Sequence, residues 1–420
     1  MKLSPNLWVQ VLVVASGLLV NFLMPALFGL SAYGELLRQI LVVLTVHRFL
    51  DLTSEPYLAT ADPRGIYLLS LCGNILTSAA LIVALSLLGF ASVDFPLLAA
   101  MTITLSVMLA FHRGGDLRGI LSYLVTFNAA FVVLCLLRYR ALIDFSLRDI
   151  LLFTNLWGAI FGSAWLIATG AIERIDGSSL RRSLRAVVSQ TPQAWLNTAF
   201  STYLTTVFTL IMSGSLGNRD LGNMRVFASV VQSALGVFPA NIKAIFVSFR
   251  HTSARNSAIN LLDAAFWFFF LLTLAFVGVS VYWPQYGMHL NAVLLLWPYF
   301  SAACLERYAQ LTGRTVALRW VGVTGFVAFA WWGNTTHTLQ DAMLQFACGV
   351  VLYASALAVV NGFARDAHRM AWLPIVSGAL SYSVWTGVCP PWLAAVIALC
   401  VGGLAVRPRR SHLRYLLGHL

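Results

Sequence analysis

Long apolar stretches recur along this chain with few charges inside them. A bilayer core about 30 Å thick is crossed by roughly 17 to 25 mostly apolar helical residues. Fourteen stretches meet that requirement. Six lie at about 7–29, 35–52, 66–90, 95–111, 119–137 and 149–171, and six more at about 193–215, 223–249, 257–282, 289–305, 316–333 and 338–362. Two follow at about 370–388 and 391–406. Charged residues are 10% of the chain and hydrophobic ones 59%, so too little polar surface exists to clothe a water-soluble fold. A soluble enzyme, a disordered protein, a collagen and a disulfide scaffold are excluded. The six cysteines lie in or beside apolar runs without a CxxC pair and read as small buried hydrophobes. Met1-Lys2 leads into an apolar stretch too long for a signal-peptide core, which reads as the first span.

The net charge is +12, and 25 of the 27 basic residues are arginine. No basic stretch has a folded domain around it, so the excess points to membrane orientation rather than nucleic acid. With both termini in the cytoplasm, 20 basic residues fall inside, among them Arg48, Arg64, Arg181, Arg182 and Arg185. Six fall outside, namely Arg38, Arg138, Arg140, Arg148, Arg219 and Arg225, and Lys243 lies within a span. That asymmetry over short loops is the positive-inside pattern.

The longest polar connection, 172–192, follows the sixth span. A shift of 188 residues brings the two sides into register, placing Gly29 on Gly217 and Gly34 on Gly222. Positions 7 and 11 apart share a helix face. Gln10, Gly17 and Asn21 form one such line on span 1, and the shift carries them to Thr198, Thr205 and Thr209 on span 7, with Thr202 beside them. Arg38, Leu41, Thr45 and Arg48 on span 2 correspond to Ser229, Gln232, Ser233, Gly236 and Lys243 on span 8. Six spans per half place both halves in the membrane in the same direction, a parallel repeat typical of transporters. The expected fold is an all-α polytopic membrane protein. Its parts are a six-helix lobe (1–176), a cytoplasmic linker (177–192), a second six-helix lobe (193–366) related by a pseudo-twofold along the membrane normal, and two extra helices with a basic tail (367–420).

A charge inside a membrane is costly and ordinarily faces a wet cavity or a partner. Arg38, Arg48 and Lys243 outnumber carboxylates at these depths, so the expected cargo is anionic. Arg48, Asp263 and Glu306 are expected to snorkel to the interface. Asn74 on span 3, with Ser70 and Thr77 near it, offers neutral hydrogen bonds, as do Asn128 and Asn155. There is no GxxxxGK[ST], HExxH or GxSxG, and no Cys/His cluster with metal spacing. No cofactor or metal is expected. Gly158-x-x-x-Gly162 reads as a helix-packing pattern.

The opening LWVQVLVVASGLLVNFLMPALFGLSAYGELLRQILVVL resembles the first two helices of Wzx-type polysaccharide and O-antigen flippases, of the multidrug/oligosaccharidyl-lipid/polysaccharide superfamily. Pro25, Tyr33 and Gly34 stand where that family has Pro near the end of helix 1 and Tyr-Gly closing the next loop. FLDLTSEPYLA at 49–59 is similar to its turn after helix 2, with Thr53 where Gly is usual. SQTPQAWLNTAFSTYLTTVFTLIMSGSLGNRDLGNMRVFASVVQS at 189–233 looks like the start of its second half. The stretch FTLIMSGS departs from the family in lacking an acidic residue late in helix 7. The resemblance implies twelve to fourteen helices, two lobes and a cationic central cavity. It further implies a bacterial inner-membrane flippase that moves an undecaprenyl-diphosphate-linked oligosaccharide outward, beside polysaccharide polymerase and chain-length proteins. Arg38, Arg48 and Lys243 would attract the diphosphate. Gln10, Asn21, Asn74, Thr205, Thr209 and Gln232 would bind sugar hydroxyls. A drug or cation antiporter, a membrane polymerase or ligase, and a scaffold subunit of an export assembly are the alternatives.

Overall fold

A computed structural model describes residues 12, 16–17, 19–54, 65–87, 89, 93–172, 177–238, 254–282 and 290–363, with short pieces between 376 and 401. All regular structure among these residues is helical. The first helices are α1 (Leu19–Phe28), α2 (Leu30–Thr53), α3 (Ile66–Leu87), α4 (Phe95–Gly114), α5 (Leu117–Tyr139) and α6 (Leu147–Ala168). There follow α7 (Gly177–Asn197), α8 (Ala199–Met212), α9 (Asn218–Gln232) and the short α10 (Ala234–Val237). The last are α11 (Ala254–Tyr282), α12 (Leu290–Leu294), α13 (Leu296–Leu311), α14 (Thr315–Gly333) and α15 (Leu339–Val360). Seven of the described helices, α3 to α6, α11, α14 and α15, are long and apolar enough to cross a membrane. The chain is an α-helical membrane protein.

Each of the first twelve expected spans contains a described helix. The last two fall largely outside the described residues. The polar connection is itself helical: α7 starts at Gly177 and runs through Pro192 to Asn197, so it merges with the expected start of span 7.

Local chemistry sets the helix ends. Gly29 separates α1 from α2 at φ 87°, a backbone conformation that a side chain would strain. Asp94 accepts from the backbone N–H of Leu97 and Asp116 from that of Gly119, which caps α4 and α5. Ser146 and Asp149 form a capping box at the start of α6.

The chain divides into two compact units. One comprises Ala15–Leu196 with Gly217–Asn223. Within it α6 packs on α4 and α5, and α2 packs on α3, α4 and α6. A Cβ on Gly158 would stand 2.8 Å from the Tyr123 hydroxyl, and one on Gly162 would overlap Val107, so the small-xxx-small pattern serves helix packing as expected. Arg148 closes this unit at one end. Its Nε and Nη2 meet Asp94 at 2.5 and 2.8 Å, and its Nη1 meets Asp149 at 2.8 Å. Hydrogen bonds from Arg148, aided by the Leu97 N–H, hold the Asp94 carboxyl below the ordinary carboxylate range against the opposing effect of burial.

The other unit comprises Met1–Val14, Asn197–Leu216 and Met224–Leu420. Here α13 packs on α11, α14 and α15, and α8 packs on α14. A buried polar knot fixes α8 against them. Gln345 Nε2 donates to the Phe329 carbonyl at 2.6 Å and to the Tyr203 hydroxyl at 2.9 Å, Tyr203 donates to the same carbonyl at 2.7 Å, and Thr336 donates to Gln345 Oε1 at 3.2 Å. Every polar atom of the Gln345 side chain thus has a partner, which makes its burial tolerable.

Candidate functional site

Two described helices carry a π-turn, Leu19–Leu23 in α1 and Tyr203–Val207 in α8, and they are the ones expected to open the two halves. A π-turn inserts a residue into the helix ladder, frees backbone groups, and is frequent at functional sites. Asn21 lies in the first and Thr205 in the second. In α1, Asn21 Nδ2 donates to the Gly17 carbonyl at 2.8 Å, while its Oδ1 accepts from the buried Tyr33 hydroxyl at 2.7 Å. Tyr33 thereby pins the π-turn to α2.

In α8 the exposed carbonyls of the π-turn meet donors from α9. Gln232 Nε2 lies 3.2 Å from the Leu204 oxygen and 3.4 Å from the Thr205 oxygen, and Arg225 Nη1 lies 3.1 Å from the latter. The guanidinium of Arg225 is half-buried, with its Nε enclosed and unbonded, and no carboxylate meets it among the described residues. A half-buried cation that meets no carboxylate among the described residues is a place for an anion. Arg225 was expected at the outer end of the eighth span, drawn from about 223. It is instead two turns inside α9, because that helix begins at Asn218.

The remaining expected site residues separate. Thr205 sends its hydroxyl back to the Thr202 carbonyl at 3.1 Å. Thr202 and Thr209 are buried, each hydroxyl without a hydrogen-bond partner among the described residues, so the expected threonine stripe does not line one open face. Asn74 is fully buried. Its Oδ1 accepts from Thr53 at 3.1 Å and its Nδ2 donates to Ser106 at 3.2 Å, so it joins α2, α3 and α4 rather than offering its amide to a ligand. Arg48 pairs with Asp51 at 2.7 Å, which offsets its charge. Arg38 is exposed and donates to Asn218 Oδ1 at 2.6 Å. Gln10 and Lys243 lie outside the described residues.

Two acids depart from expectation. Asp263 and Glu306 do not reach a surface; they are 4% and 7% exposed, and Tyr353 donates to Glu306 Oε2 at 2.8 Å. Packing of α15 on α13 encloses Glu306 before its side chain can extend outward.

A groove of about 500 Å³ runs between α3 and α4, bounded by residues from Leu71 to Val83 and from Phe95 to Ile103. Its two hydroxyl residues, Ser78 and Thr102, bond to carbonyls of their own helices. It offers contact only to hydrocarbon. No group of three His, Cys, Asp or Glu able to hold a metal occurs among the described residues.

One backbone contact bears on the repeat. A Cβ on Gly34 would overlap the Asn218 carbonyl, and a Cβ on Gly222 would overlap the Leu30 carbonyl. The 188-residue shift carries Leu30 onto Asn218 and Gly34 onto Gly222, so the two contacts are one contact met twice. Comparison with protein-family models, curated proteins and solved structures finds no match to this chain.

Proposed function

We propose that this protein is a flippase, carrying an undecaprenyl-diphosphate-linked oligosaccharide from the inner to the outer leaflet of a bacterial cytoplasmic membrane. The observation that carries this reading is Arg225, a half-buried cation with no carboxylate among the described residues, held beside the α8 π-turn by a backbone carbonyl. It would receive the diphosphate, with Arg38 and Lys243 as further positive charge. Asn21, Thr205 and Gln232 would add neutral hydrogen bonds for sugar hydroxyls, and Gln10 would extend the set. The reciprocal glycine contact and the paired π-turns support two six-helix lobes related by a pseudo-twofold, with two extra helices. Rocking of such lobes gives alternating access without covalent chemistry. The lipid tail stays in hydrocarbon throughout. The motifs around Pro25, Gly34, Pro192 and Gly222 favour the Wzx-type family, and with it polymerase and chain-length proteins as neighbours.

The test is reconstitution. Purified protein in liposomes is given a fluorescent polyprenyl-diphosphate oligosaccharide, and the fraction reached by an impermeant quencher is followed. Transfer dependent on the protein supports the reading, and none above empty liposomes refutes it.

A second reading has its own support. The buried carboxylates Asp263 and Glu306 suit a cation antiporter of the drug-exporting branch. Proton-driven efflux of a cationic dye in the same liposomes, lost on Glu306→Gln, would favour it.

A further inference from the structure

The outward face of α7 is basic, and no carboxylate among the described residues meets it. Over residues 177–197 the sequence has three arginines, Arg181, Arg182 and Arg185, and no Asp or Glu. All three side chains are exposed, and none meets a carboxylate among the described residues. Ser183, Val187 and Thr191 are buried on the other side of the helix. At 100° per residue, Arg181, Arg182, Arg185 and Ser189 fall within one arc, roughly opposite the arc of Leu184, Val187 and Thr191. At the edge of the basic arc Val188 is 75% exposed.

The position of this helix fixes what it can meet. Trp195 stands edge-on to Phe49 at 5.1 Å between ring centres, and its indole N–H donates to the Phe49 carbonyl at 3.3 Å. Phe49 lies in the last turns of α2, and α7 begins nine residues after the end of the apolar helix α6. The helix therefore sits by the last turns of α2 and follows the end of α6, which is long and apolar enough to cross a membrane. On the topology expected from the positive-inside pattern, that end faces the cytoplasm. A helix with a packed side, a basic side and an exposed valine at the edge of the basic arc suits the headgroup layer.

We propose that the Arg181–Arg182–Arg185 face of α7 binds the headgroups of anionic phospholipids in the cytoplasmic leaflet. The phosphates lie against the guanidinium groups, and Val188 enters the upper acyl region. Arginine is suited to this because its planar donors grip phosphate oxygens in pairs. The inference is independent of what, if anything, the protein transports.

The experiment places a benzophenone photo-crosslinker at Ser189, one turn beyond Arg185, in the full-length protein. Nanodiscs hold phosphatidylcholine with a minor share of phosphatidylglycerol, and cross-linked lipid is identified by mass spectrometry. Phosphatidylglycerol is expected to exceed its bulk share about fivefold or more, since each surface arginine is worth about 1 kcal/mol. The excess should vanish in about 1 M salt. It should vanish in the triple Arg→Gln variant and persist in the triple Arg→Lys variant. Should the triple Gln variant fail to insert, Arg182→Gln and Arg185→Gln are each expected to lower the excess. Bulk share in the unaltered protein overturns the proposal, as does an excess that survives every Gln variant. Loss of the excess to inorganic phosphate at equal charge reassigns the face to a free anion and overturns it. Displacement by a soluble acidic peptide reassigns it to a protein partner, with the same result.

Discussion

Gly34 and Gly222 each stand against the backbone of the turn that opens the other's helix, Gly34 against Asn218 and Gly222 against Leu30. The obstacle to a side chain at either position is a carbonyl, which cannot swing aside as a side chain end can. Gly34→Ala and Gly222→Ala are expected to destabilise the protein by about 1 to 3 kcal/mol each, the range for overpacking. Gly217→Ala, with nothing within 4 Å of its Cβ, is the neutral control. Thermal unfolding in detergent checks all three.

The Asp94–Arg148 pair makes stability depend on pH. Asp94 titrates lower in the folded protein than in the unfolded chain. Its contribution is therefore fully present above the ordinary carboxylate value of about 3.9 and is lost as pH falls through the lower folded value. Asp94→Asn should lower the melting temperature at pH 7, by the equivalent of about 1 to 3 kcal/mol for hydrogen bonds to a charged group. The gap between variant and parent should narrow in strong acid. Melting curves from pH 7 down to about 3 measure this.

Charge and hydrogen bonding can be separated at Arg225. Arg225→Gln removes the cation and keeps a neutral donor in place of the guanidinium Nε. On the flippase reading, transfer in liposomes falls at least about tenfold, the effect of about 1.4 kcal/mol, with little change in melting temperature. Arg48→Gln serves as the contrast. Its charge is already met by Asp51, so transfer should stay within about twofold.

The knot at Gln345 should behave as a unit. Gln345→Leu removes two donors from a fully buried place and leaves the Thr336 hydroxyl only the Trp332 carbonyl, which should cost about 2 to 4 kcal/mol. Tyr203→Phe removes one donor to Phe329 while Gln345 still serves that carbonyl, and should cost less. A double-mutant cycle by thermal unfolding is expected to show costs that do not add.

The helices were legible because apolar runs of span length leave little else for the chain to do; the caps at Asp94 and Ser146 emerge only in the structure. The 188-residue shift was legible through Gly34 and Gly222, although nothing in the sequence says that the two glycines share one contact. The roles of polar residues were less so. Asn74 occupies the same kind of position whether it faces water or two hydroxyls, since the spacing that puts it on a helix face does not say what covers that face. Glu306 reads as an interfacial acid until α15 is seen to close over it. Arg225 reads as the outer end of its span because the polar NRD at 218–220 hides the start of α9 at Asn218. The π-turns have no compositional mark at all.

The π-turn in α8 changes how the threonines beyond it should be counted. One extra residue in the ladder turns everything after it by about 100° relative to an uninterrupted helix. Thr205 and Thr209 belong to different sides of that twist, one partly open and the other enclosed. Removing a single residue between Tyr203 and Val207 would act as a rotation more than a shortening, bringing a new set of side chains around to wherever Thr209 now points.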